Sequence, residues 1–251
     1  MARLQDKVAV VTGASGGIGA ETARLFAREG AAVVLAARSA ERGEAVAETI
    51  RRAGGRALFV ETDVTEPDSV AATFAAVEAR FGRLDVLFNN AGGSTDRDGP
   101  LTTAPLEEFW RCIKLDLFGT WLSSRAAIPL MQRTGGGSIV NSASIVGEMG
   151  VPNRDAYTAA KGGVIALTRS MAVEFAGDGI RVNVIVPGAV LTDRVRAFFE
   201  REPHLKRQEE AYLLGFAEPA DVANAALFLA CEESRRTTGQ KLPVDSGILI
   251  S

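Results

Sequence analysis

A phenol and an ammonium stand four residues apart in the run Asp155-Ala156-Tyr157-Thr158-Ala159-Ala160-Lys161, and the hydroxyl of Ser144 lies thirteen residues upstream of the tyrosine. On a helix, positions i and i+4 share one face, a turn apart. A free phenol ionises near pH ~10, so bringing it to neutrality takes about 3 units, or ~4 kcal/mol. A cation ~4 Å away, at an effective dielectric of about 20, supplies an interaction of that order. Tyr157 and Lys161 therefore read as a tyrosine acid/base pair for work near neutral pH. The spacing alone recurs by chance in many helices, so the reading leans on the rest of the chain.

Near the N-terminus, Lys7-Val8-Ala9-Val10-Val11-Thr12 has the apolar run of a buried strand and leads into Gly13-Ala14-Ser15-Gly16-Gly17-Ile18-Gly19. Ile18, Thr22, Leu25 and Phe26 then recur at helical spacing up to Gly30. Strand, glycine loop and helix form the layout that seats a pyrophosphate on the free N–H groups of a helix N-terminus. The spacing is G-x-x-x-G-x-G rather than the general G-x-G-x-x-G. A plain tight connection is the competing reading of such a turn.

The elements that must position these groups alternate along the chain. Candidate strands are Val8–Thr12, Ala32–Ala36, Ala57–Glu61, Val86–Asn89, Ser138–Ser142, Arg181–Val186 and Lys241–Val244. Amphipathic stretches separate them: Glu41–Arg52, Ser69–Arg80, Glu107–Met131, Tyr157–Phe175 and Ala220–Leu229. Regular β/α alternation predicts an α/β fold, a doubly wound parallel sheet of about seven strands with helices on both faces. Ligands of such sheets bind beyond the carboxyl ends of the strands, where the glycine loop and the segments after the later strands fall.

Over 251 residues no linker, repeat or low-complexity stretch divides the chain, so one domain, 1–251, is expected. The net charge is −3 with acids and bases interspersed, which argues against a nucleic-acid or membrane-surface partner. No apolar run approaches the ~18 residues of a membrane span, and no signal-peptide core precedes the first strand, so a cytoplasmic protein is expected. Cys112 and Cys231 lack metal-like spacing, and His204 is the single histidine. A histidine triad and a metal site are therefore not expected.

The two ends together resemble the short-chain dehydrogenase/reductase family, in its single-domain branch of about this length, and the resemblance covers nearly the whole chain. Thr12 to Gly19 matches the family's cofactor loop T-G-x-x-x-G-x-G; Asp63-Val64 matches the pair that meets the adenine. Asn89-Asn90-Ala91-Gly92 matches the turn after the fourth strand, and Pro187-Gly188 with Thr192 the segment that closes over the nicotinamide. The resemblance implies a Rossmann-like fold with a cofactor half (1–150) and a catalytic and substrate-lid half (138–251). It implies that Gly13, Ser15, Gly17, Ile18 and Gly19 cradle the cofactor, joined by Arg38, Asp63, Val64, Asn90, Ala91 and Gly92. Pro187, Gly188, Val190 and Thr192 would close the nicotinamide end, where Tyr157 and Lys161 also touch the cofactor.

The implied reaction moves a hydride between the nicotinamide and a carbonyl carbon or its alcohol. Tyr157 would give or take the proton, Lys161 would depress the phenol's pKa, and Ser144 would hold the substrate oxygen. Ser142 is the neighbour that could be confused with Ser144. Ala37 stands where NAD-using members commonly carry Asp, and Arg38 offers a fork of donors suited to a 2′-phosphate. NADP(H) is thus favoured over NAD(H), the competing reading being a solvated arginine beside a helix start. Asp63 also fits a simple turn signal, in Asp63-Val64-Thr65-Glu66-Pro67.

One position departs from the family pattern. Asp116 occupies the place of an asparagine that helps hold a water on the proton path to the lysine. A carboxylate there loses the amide donor and would pair with Lys161 or rise in pKa. That departure keeps a rival reading open, a weakly active nucleotide-binding regulatory protein. The substrate, a small carbonyl or alcohol, would meet the segments Ser94–Thr102, Ile145–Arg154 and Ala189–Phe216. Asp96, Arg97 and Asp98 could touch it or only solvent. Phe109, Ile113 and Leu117 form an apolar stripe that related proteins use between subunits, so a homo-oligomer, tetramer or dimer, is expected.

Overall fold

The computed structural model describes residues 2–251, apart from the side chains of residues 203–206. Seven strands form one parallel sheet: β1 (Val8–Thr12), β2 (Ala32–Ala37), β3 (Arg56–Glu61), β4 (Val86–Asn89), β5 (Gly137–Ser142), β6 (Ile180–Pro187) and β7 (Lys241–Val244). Their order is β3-β2-β1-β4-β5-β6-β7, so the chain reverses direction across the sheet between β1 and β4. Every residue of β1, β2 and β4 is buried, as a strand covered on both faces requires.

The period-two alternation of β1 explains the two layers. Ala9 and Val11 point into a core filled by Phe26 of α1 (Gly17–Arg28), Val46 and Ile50 of α2 (Ala40–Arg52), and Val222 and Leu227 of a later helix, Pro219–Ala230. Val8 and Val10 point the other way. They meet Phe74 of α3 (Pro67–Phe81), Met131 of α5 (Gly119–Arg133) and Met171 of α6 (Asp155–Glu174). The order of magnitude of burying one such side chain is about 1.5–3 kcal/mol, and both faces carry many.

The stretch expected as one regular helix is continuous but not regular. It begins as α4 (Leu106–Cys112), widens into a π turn over Ile113–Phe118, and resumes as α5. Gly119 N–H reaches back five residues to the Lys114 carbonyl. The Asp116 carbonyl takes the Thr120 hydroxyl at 2.8 Å. Such single-turn insertions cluster at functional sites. Here the wide turn holds the one acidic side chain of the segment, fully buried, against the end of α6 that carries Lys161. Nothing in the apolar spacing of this helix foretells the π turn.

The segment after β6 forms α7 (Asp193–Arg201) and a 3-10 stretch, Pro203–Ala211, before α8 (Pro219–Ala230). No residue of α7 is buried. No described helix is long and apolar enough to cross a membrane.

Candidate active site

At the carboxyl edge of the sheet, where the chain switches direction, a cleft of about 390 Å³ opens beside a second hollow of about 420 Å³. Gly13, Gly16, Gly17 and Ile18 line the first; Gly13 and Ser15 also line the second. The first turn of α1 leaves the N–H groups of Gly17, Ile18 and Gly19 without helical partners, since Ala20 N–H is the first to reach back, to Gly16. Gly19 does not line the cleft. A Cβ there would strike the Gly13 carbonyl and the Asn90 amide, so its role is to let loop and helix close up.

Asn90 and Ala91 are tacked to β1, both N–H groups donating to the Thr12 hydroxyl at 3.0 and 3.1 Å. Asn90 Nδ2 adds a bond to the Thr12 carbonyl at 3.0 Å. Pro187, Gly188, Val190 and Thr192 form the wall opposite. Arg38, Asp63 and Val64 line the far hollow with Ala37 and Ser39. Asp63 is a turn residue as well, because its Oδ1 accepts from the Thr65 N–H and hydroxyl at 2.9 and 2.8 Å. The free amide row and the glycine-lined cradle fit a dinucleotide laid across both hollows.

Ser144, Tyr157 and Lys161 share the cleft wall with Gly92. Lys161 is buried, and two of its three donors are spent: 2.8 Å to the Ser142 carbonyl and 3.0 Å to Asp116 Oδ1. Its Nζ lies 5.5 Å from the centre of the Tyr157 ring. Asp116 Oδ1 also accepts from Gly93 N–H at 2.9 Å, while its Oδ2 is buried without a protein partner. A Cβ on Gly92 would collide with Asp116 Oδ1, so only glycine lets the loop pass between carboxylate and cleft. Ser142, the neighbour of Ser144, serves Lys161 with its backbone.

The electrostatics differ from the simple pair expected. Burial pushes the Tyr157 phenol above its usual range. The Lys161 ammonium, Arg194 and a polar contact from Ser144 pull it down, but the Asp116 carboxylate works against them. Burial also acts to lower the Lys161 pKa, yet Asp116 and Tyr157 beside it raise it overall, so the ammonium stays charged. An ammonium already paired with a carboxylate has less field left for the phenol.

Two residues that line the site, Arg42 and Arg194, were not singled out for it, and a third, Asp98, supports it from outside. Arg42, on the first turn of α2, lines both hollows and donates to the Ser39 hydroxyl at 3.2 Å. Arg194, at the start of α7, lines the cleft. Asp98, left between substrate contact and solvent, is buried and does neither. It accepts from the N–H groups of Ala156 and Tyr157 at 3.2 and 3.0 Å, capping α6 at its first turn. Arg154 donates to the Thr95 carbonyl and Leu101 N–H to Asp155, which bolts the 94–101 loop to the same helix end. Those partners lie more than fifty residues away, beyond any local sequence signal. Asp96 and Arg97 are exposed.

Cys112 and Cys231 are free and buried; burial pushes the Cys112 thiol up to about 12. The side chain of His204 lies outside the described residues. Among the described residues no group of His, Cys, Asp and Glu could hold a metal ion. A larger hollow of about 500 Å³ sits at the opposite edge of the sheet, but Arg83 and Lys7 there are spent on Asp85, and Arg3 on Glu233.

A family model described as enoyl-(acyl carrier protein) reductase matches residues 13–249. The cis-4-hydroxycyclohexanecarboxylate dehydrogenase of Sinomonas cyclohexanicum is 45% identical over 244 residues, spanning 96% of each chain. A short-chain type dehydrogenase/reductase from Mycobacterium marinum superposes with a TM-score of 0.92 at 34% identity, over 99% of this chain and 97% of that one. A 7α-hydroxysteroid dehydrogenase, solved with NADH and 7-oxo glycochenodeoxycholic acid, also gives 0.92 at 34% identity, over 98% and 95%. Fold, cradle and full-length similarity agree: the chain belongs to the short-chain dehydrogenase/reductase family, oxidoreductases that work on alcohols and ketones with a nicotinamide cofactor.

Proposed function

We propose that this chain moves a hydride between NADP(H) and a ketone or secondary alcohol, with Tyr157 as acid/base, Ser144 holding the substrate oxygen and Lys161 serving both phenol and cofactor ribose. The observation that carries the reading is the convergence of Ser144, Tyr157 and Lys161 on one cleft wall continuous with the glycine cradle. The cofactor supplies or accepts the hydride; the protein's own work is in the proton and the charge. Ser144 and Tyr157 offer O–H donors to a carbonyl oxygen as negative charge builds on it. Lys161 has one donor direction left after Ser142 and Asp116, and that donor suits a ribose hydroxyl. A phenol held above its usual pKa keeps its proton at neutral pH, the form that reduction needs. Reduction near neutrality and oxidation at alkaline pH are therefore the expected pattern.

NADP(H) is supported by the pairing of Ala37 with Arg38 and Arg42 around the far hollow. Two exposed guanidinium groups and no acid at position 37 favour a 2′-phosphate over a free ribose hydroxyl. The NAD(H) reading is kept by the NADH in the hydroxysteroid dehydrogenase neighbour. The substrates for which these relatives are named, a hydroxycyclohexanecarboxylate and a hydroxysteroid, have an alcohol on a ring, and a cyclic alcohol or ketone is the class we infer here. Exposed Phe109, Trp110 and Trp121 along α4 and α5 support a contact between copies, a dimer or tetramer, in the cytoplasm. Ile113 and Leu117 of the expected stripe instead pack toward Ala156 and Ala160 of α6. Loss of NADPH absorbance against a panel of cyclic and open-chain ketones, repeated with NADH, tests the activity. No turnover with any carbonyl would leave only the nucleotide-binding regulatory reading.

A further inference from the structure

Two arginines flank Gly93, and their circumstances differ. Arg111 has a buried carboxylate, Glu108, at 2.8 Å and donates to the Gly93 carbonyl at 3.0 Å. Arg194 lies so close on the other side that a Cβ on Gly93 would come within 2.7 Å of both its terminal nitrogens. Yet among the described residues only one of its five donors finds an acceptor, the Ser94 carbonyl at 3.4 Å. No ion pair to Arg194 occurs among the described residues.

The helix that carries it is held from elsewhere. Thr192 caps α7 by accepting from Val195 N–H at 3.3 Å. Arg196 grips Glu218 with two bonds, 2.6 and 2.8 Å, and the Phe199 ring stacks on Phe216 with centroids 5.1 Å apart. Arg194 and Arg196 sit about 200° apart around a helix of 3.6 residues per turn. With Arg196 anchored on one side, Arg194 projects toward the cleft that Tyr157 lines. Its pull on the Tyr157 phenol agrees with that placement. The adjacent glycines touch both groups: a Cβ on Gly92 would come within 3.2 Å of Lys161 Nζ, and one on Gly93 would meet Arg194.

We propose that Arg194 is the substrate-recognition residue of this site and selects ketones or secondary alcohols that carry a carboxylate away from the reacting carbon. The proposal rests on the oxidoreductase reading above and names its substrate class. A forked guanidinium without a protein anion matches a carboxylate in two-pronged geometry, and a cofactor phosphate is the other source of the same chemistry. The probes are 4-oxocyclohexanecarboxylate and its methyl ester, which differ in the charge at the far end of the ring.

The wild type is expected to prefer the acid over the ester in kcat/KM. Arg194→Met is expected to lower that acid-to-ester ratio by about 10- to 30-fold, the loss of one exposed charge-assisted contact, mainly through KM. Arg194→Lys should keep part of the preference. Equal losses for acid and ester with a raised KM for NADPH would assign the guanidinium to the cofactor and overturn the proposal. A wild type that handles the ester as well as the acid, or a ratio unmoved in Arg194→Met, would overturn it too. Failure to reduce any ketone in the wider panel would instead overturn the oxidoreductase reading itself.

Discussion

The two hollows at the carboxyl edge of the sheet are built on opposite principles. Beside the cleft that Tyr157 lines, Lys161 and Asp116 are buried, bonded to each other and to backbone, and bracketed by glycines that admit no side chain. Around the far hollow Arg38 and Arg42 are exposed, and among the described residues the only hydrogen bond either side chain makes is from Arg42 to Ser39. A buried ion pair is costly to break, because removing one partner strands the other's charge. Exposed charges at a hollow's rim can be exchanged with little cost to the fold. The chemistry should therefore be fragile to substitution, and the cofactor choice should be pliable.

The sharpest break at the chemical end is Tyr157→Phe. Removing the phenolic proton while keeping the ring is expected to cut turnover by about 10³-fold, within the range for general acid/base catalysis. Cofactor binding, followed by fluorescence titration, should be nearly retained. Turnover within tenfold of wild type would take Tyr157 out of the acid/base role.

Lys161→Ala tests the burial itself. It leaves Asp116 buried without its cation, which should cost about 3 kcal/mol, a drop in Tm of roughly 6–12 °C for a chain of this size. Adding Asp116→Asn to the same chain should recover most of that stability, though not activity. A single variant as stable as wild type in a thermal melt would mean the pair is worth far less than its burial suggests.

At the pliable end, Ala37→Asp places a carboxylate where a 2′-phosphate would sit. It should shift the NADPH-to-NADH ratio of kcat/KM by about 10- to 100-fold toward NADH, as like charges in one site cost a few kcal/mol. The melting curve should hardly move. If the unsubstituted chain already prefers NADH, the reading of Arg38 and Arg42 falls.

The smallest expected effect on turnover is that of Asp116→Asn. The carboxylate raises the Tyr157 pKa, so its removal should lower it, and the tyrosinate that oxidation needs should form at lower pH. The rising limb of the pH profile for alcohol oxidation is then expected to move toward acid, with an equal or higher rate. An unchanged profile would leave Asp116 a structural feature alone, and a large loss of rate would give the carboxylate a role of its own.

Much of the fold was legible because apolar periodicity and short connections are local properties. β1, β4 and β7 begin and end where the apolar runs do, and the other four strands differ by one or two residues at their ends. The glycine cradle and the Tyr157–Lys161 spacing were readable for the same reason, each lying within one short segment. The π turn at Asp116 was not, since the groups Asp116 meets there, Lys161 and Gly93, stand on other elements and leave no mark in Ile113–Phe118.

The sequence by itself determined a doubly wound parallel sheet, a dinucleotide-type loop and a serine, a tyrosine and a lysine at family spacing. Hydrophobic pattern and glycine placement act over a few residues, and so survive being read in one dimension. Only the tertiary structure decided that Asp98 caps the tyrosine's helix, that Asp116 claims a share of the lysine's charge, and that Arg194 faces the cleft with no carboxylate paired to it among the described residues. Each of these depends on which groups meet across 45 to 100 residues of chain, and it is their separation and burial in space that set the charge the phenol feels.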